Sequence, residues 1–106
     1  MDEKQITKEF YEDIRKLVEE SEKIYRLAEQ EYAPMVDYYI ETKCTDSKKI
    51  EKLLDDLLSC ACDERILLLF KKLCRYYYSI DSEATIYYVG AYRRMWDEDQ
   101  DVENEK

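Results

Sequence analysis

Histidine is absent from the 106 residues, and glycine and proline occur once each. Without histidine there can be no Ser–His or Cys–His nucleophile pair and no Glu-x-x-His carboxylate metal site. With a single glycine there is no glycine-rich phosphate loop. So few turn-formers also argue against a sheet protein, because hairpins and bulges lean on Gly, Asn and Pro. The longest unbroken apolar run is ILLLF at 66–70, far short of the roughly 20 residues that cross a bilayer. The start, MDEKQITKEF, has no basic-then-apolar leader pattern. These absences predict a cytoplasmic, non-membrane, non-enzymatic chain with no cofactor. Its four cysteines are then expected to be reduced thiols.

What is present in quantity is charge, at 41% of residues and a net −9. It is unevenly spread. Residues 1–33 carry ten acids and six bases (−4), and 34–62 carry six and four (−2). Residues 63–96 carry four acids and six bases (+2), and 97–106 carry six acids and one base (−5). More than half of the excess therefore sits on ten residues, and one segment of the body is mildly basic. DEDQDVENEK has no apolar period and is read as a disordered acidic tail, 97–106, after one helical domain, 1–96. Heavy use of Lys, Glu, Ile and Tyr suits an AT-rich bacterial, phage or mobile-element genome.

The spacing of apolar residues predicts an all-α bundle of four to five helices. At about 100° per residue, Ile6, Phe10, Ile14, Leu17, Ser21, Ile24, Ala28 and Tyr32 fall on one stripe. Met35 and Tyr39 continue it in phase while Pro34 lies off it. That favours one kinked helix reaching about Lys43 over a new helix opened by Pro34. Thr45 or Asp46 can cap a second helix with Ile50, Leu53, Leu54, Leu57, Leu58 and Ala61 on one face. Asp63 caps a third, from Glu64 to about Tyr78, and Asp81 a fourth, from Ser82 to about Trp96.

The third and fourth helices have apolar residues on more than one face. Ile66, Phe70, Leu73 and Tyr77 form the core side of the third. Leu68 falls opposite them, between Lys71, Lys72 and Arg75, and Tyr76 and Tyr78 sit at the edges. On the fourth, Ala84, Tyr88, Ala91 and Met95 point inward, with Tyr87 and Tyr92 flanking them. Ile86 points away and Trp96 to one side. Such helices are either enclosed in their own bundle or offered to another chain, and tyrosine suits the second role. The candidate interface is Leu68, Lys72, Arg75, Tyr76, Tyr78, Ile86 and Trp96.

Other constellations carry less. Cys44, Cys60, Cys62 and Cys74 match the number of ligands in an all-cysteine zinc site but not its paired CxxC spacing, so no metal is expected. Asp97, Asp99 and Asp101 copy the start of a calcium loop, yet Val102 stands where glycine is needed. Asp55, Asp56, Asp63 and Glu64, with Asp97, Asp99 and Asp101, form a candidate acidic patch that imitates nucleic-acid phosphates. The function expected from these features is a small acidic regulator or inhibitor that binds another protein, one with a basic surface such as a nuclease or DNA-binding protein. The rival is a self-associating adaptor that forms a homodimer through the Tyr/Leu face. A helix-turn-helix regulator ranks third, because the acidic segments oppose direct nucleic-acid binding.

Overall fold

The computed structural model describes residues 3–97, and side chains from Thr7 onward. Four helices account for nearly all of it: α1 (Glu3–Glu41), α2 (Ser47–Ser59), α3 (Glu64–Tyr78) and α4 (Ser82–Trp96). No strand occurs among the described residues. The expected tail, apart from Asp97, lies outside them.

The short helices start where an aspartate can hold orphaned amides. Asp46 accepts from Lys48 N and Lys49 N, Asp63 from Arg65 N and Asp81 from Ala84 N. The expected α1 also forms as one helix through Pro34, which is exposed and off the packed face. Pro34 removes one amide from the ladder, and its position on the outer side lets the ring and the freed Gln30 carbonyl face water. α1 closes at Lys43, whose φ of 53° is left-handed. Cys44 N reaches back to Tyr39 O at 2.9 Å and Lys43 N to Ile40 O at 3.2 Å. This is the Schellman closure, with lysine in the position glycine usually takes.

α3 is the hub, packed against each of the other three helices. It runs parallel to α1: Arg65 meets Glu22, Lys72 meets Asp37 and Tyr76 meets Cys44. It runs antiparallel to α2, with Tyr77 near its C-terminus donating to Glu51 near the start of α2. The core is Val36 from α1, Ile50, Leu53, Leu54 and Leu57 from α2, and Ile66, Phe70, Leu73 and Tyr77 from α3, all essentially closed to water. Burial of each such aliphatic side chain stabilises the fold by about 1.5–3 kcal/mol before entropy is counted.

Two inward assignments need correcting. Tyr87, expected to flank the core, is 65% exposed, and Met95 is half exposed. α4 is rotated so that Thr85 is buried instead, with its hydroxyl donating to Asp81 O at 2.8 Å. A threonine whose hydroxyl bonds its own helix backbone behaves as an apolar residue towards the core. The second departure is larger. The stripe of α1 is buried only in the C-terminal half of the helix. Phe10, Tyr11, Ile14, Leu17, Val18 and Ile24 are all open to solvent.

Candidate protein-interaction surfaces

The α3–α4 pair carries the sequence-predicted surface. Leu68 and Ile86 are both more than 60% exposed, so neither is enclosed by the bundle. Tyr78 is exposed as well, and Arg75 lies beside it. Between the two helices runs an open groove of about 550 Å³. Leu67, Phe70, Val89 and Tyr92 give it apolar walls, and the Phe70 and Tyr92 rings lie 6.0 Å apart along it. Lys71, Arg75 and Arg93 stand on its rim, and none of the three is ion-paired among the described residues. A smaller hollow of about 290 Å³ continues past Tyr78, Ile86 and Gly90. The groove exists because α4 is the least amphipathic helix and turns small residues inward (Ala84, Thr85, Ala91), so it cannot close on α3 along its whole length.

Three of the predicted interface residues are occupied at home. Lys72 Nζ donates to Asp37 Oδ1 at 2.6 Å. Tyr76, half buried, donates its hydroxyl to Cys44 O at 2.6 Å, and burial raises the pKa of that hydroxyl. Trp96 donates its indole N–H to Leu58 O at 2.8 Å. Leu68, Arg75, Tyr78 and Ile86 are exposed without such a bond among the described residues, and Arg75 and Tyr78 meet Val89 and Arg93 in the groove.

The acidic candidates do not gather into one free patch. Asp63 caps α3 and receives Arg65 in a two-pronged pair, with Nε–Oδ1 and Nη2–Oδ2 both 3.0 Å. The Arg65 hydrogen bond holds this carboxyl below the usual carboxylate range. Arg65 also reaches Glu22 at 3.0 Å. Asp56 pairs with Lys52 at 3.8 Å, and the Asp55 carboxylate lies by the Tyr88 hydroxyl. Glu64 is exposed in the first turn of α3, and Asp97 borders the α3–α4 groove. Asp99 and Asp101 lie outside the described residues.

Cys74 is buried, which pushes its thiol up to about 12 and leaves it inert. Cys62 is exposed and sits 3.1 Å from the Tyr25 hydroxyl. No group of three or more Cys, Asp or Glu among the described residues is placed to hold a metal ion. No helix among them is long and apolar enough to cross a membrane.

The surface that sequence reading missed is the first half of α1. Periodicity shows that this half carries an apolar stripe, but not whether anything covers it. Length was the available signal: 39 residues make about 58 Å of helix, whereas the 13 and 15 residues of α2 and α3 make about 20 and 22 Å. Partners that short cannot cover α1 from end to end. Compared with protein-family models, with curated proteins and with solved structures, the chain matches none, so any function has to be argued from these surfaces.

Proposed function

We propose that this chain is a non-enzymatic protein-interaction module whose α3–α4 groove receives an acidic, amphipathic helix of a partner protein. The observation that carries this is the combination of an open apolar groove with three cations on its rim that form no ion pair among the described residues. An amphipathic helix laid in such a groove buries its apolar face, while carboxylates along its edge meet Lys71, Arg75 and Arg93. The regulator or adaptor role expected from the sequence is kept, and the charge of the partner is reversed. Net charge pointed to a basic partner, but it averages over the whole chain, whereas a partner helix feels the local rim.

The test is capture from native lysate with the wild-type chain and with Ile86→Lys and Arg93→Glu as paired baits, helicity being checked first. A protein retained by the wild type and lost from both variants supports the groove. Identical captures by all three baits would sink it.

A further inference from the structure

The uncovered half of α1 makes a second surface, independent of the groove. Phe10, Ile14, Leu17, Ser21 and Ile24 follow one another at intervals of four, three, four and three. That is the heptad spacing of a coiled-coil seam. Tyr11 and Val18 widen the seam along one edge. From Tyr25 onward the same side of the helix packs on the body, and the body ends where Arg65, at the start of α3, reaches Glu22. Residues 3–21 therefore project about 28 Å beyond it.

We propose that two copies of this chain associate through these projecting arms, packed antiparallel. Five apolar side chains on each arm, and Ile24 at its root, are 40–63% exposed. At about 100 Å² each they offer about 600 Å² per copy. The aliphatic stems of flanking Lys and Arg bring this close to the ~800 Å² per partner of a standard interface. Isolated monomers rarely leave a contiguous apolar patch of that size in water. Charge permits self-pairing: residues 7–27 carry six acids and five bases, a net of only −1 on a chain of −9.

Direction follows from the one small residue in the seam. A parallel pair sets Ser21 against Ser21 and Phe10 against Phe10, one layer hollow and one crowded. An antiparallel pair with Ile14 opposite Leu17 of the second copy sets Phe10 opposite Ser21, and every layer is filled. In that register the two bodies also lie at opposite ends of the paired arms, so the arms can meet without the bodies colliding.

Sedimentation equilibrium of the full chain tests this. The wild type is expected to be a dimer at ~50 µM, and Leu17→Lys is expected to weaken dimerisation at least about tenfold, which is one buried-charge penalty of about 1.4 kcal/mol or more. Leu17 is exposed in the single chain, so its replacement leaves the fold intact by circular dichroism. Ile86→Lys is expected to leave the dimer unchanged. A wild type that stays monomeric overturns the proposal, as does a dimer that survives Leu17→Lys or is lost with Ile86→Lys. Orientation is read from cysteine variants. Phe10→Cys mixed with Ser21→Cys is expected to cross-link between the two on oxidation, with the linked peptides identified by mass. Cross-linking of either variant with itself at the new position would mean a parallel pair.

Discussion

The two halves of α1 share a pattern and differ in their surroundings. From Tyr25 to Glu41 the helix lays Ala28, Tyr32, Val36, Tyr39 and Ile40 on the body, with Val36 fully closed to water. From Thr7 to Ile24 an equally apolar stripe faces solvent. Nothing in the spacing changes between them. What changes is whether α2 and α3 extend far enough to provide cover. An amphipathic stripe thus records which side of a helix favours burial, and the lengths of neighbouring elements decide how much of that side the chain buries by itself.

The contrast is broken most directly by comparing substitutions in the two regions. Tyr77→Ala removes a fully buried ring and its hydrogen bond to Glu51, and is expected to cost about 3–5 kcal/mol in urea unfolding. Phe10→Ala, measured where the chain is monomeric, is expected to change stability by no more than about 0.5 kcal/mol. Equal costs would mean that the arm is covered after all.

Next in size is Asp63→Ala, at the point where body gives way to arm. It removes the cap of α3 and the anchor of Arg65, for an expected loss of about 1–2 kcal/mol. Because this carboxyl is held below its ordinary value, its contribution is present above the usual carboxylate range and fades as pH falls through the folded value. Acid unfolding of the variant should therefore be less steep than that of the wild type.

Alkali sharpens the comparison from the other side. Tyr25 is pushed up to about 12, first by its hydrogen bond with Cys62, and burial raises Tyr32, Tyr76, Tyr77 and Tyr88. All five belong to the body or its boundary. A raised hydroxyl contributes stability in full below about pH 10 and loses it as pH rises through the folded value. Helicity should fall between about pH 10 and 12 together with a late wave of tyrosinate absorbance. If every tyrosine ionises before helicity is lost, packing is not what restrains these five. The smallest effect is expected of Lys72→Ala. Its pair with Asp37 is about half exposed on both sides, so unfolding should shift by about 0.2–1 kcal/mol.

Much of the fold was readable in advance because the chain marks its own breaks. Asp63 and Asp81 each stand one residue before a helix, and the ends near Tyr78 and Trp96 follow from loss of period. Pro34 was only half readable, since a stripe in phase on both sides of it favours one helix over two without deciding between them. Angle alone set Leu68 and Ile86 opposite the core sides of their helices, but their exposure depended on whether another helix of the bundle covered them. The exposure of Tyr87 was not readable, because helical angle set it at the flank of the inner face, and only the backbone bond from Thr85 to Asp81 shows why Thr85 is inside instead. The contacts that Lys72, Tyr76 and Trp96 make within the fold were unreadable for a related reason. Each reaches a partner about 30 or more positions away in sequence, and helical angle says nothing of such partners.

The chain has a single tryptophan, and it sits on a seam. Trp96 ties the last turn of α4 to the last turn of α2 through the Leu58 carbonyl, with part of its indole still open to water. That makes it a built-in optical gauge. Its emission reports, without any label, whether α4 is seated. A guest that enters the α3–α4 groove and levers α4 outward would shift the colour of that light. Two arms pairing along α1 touch neither side of the seam and would leave it unchanged, so one cuvette can tell the two events apart.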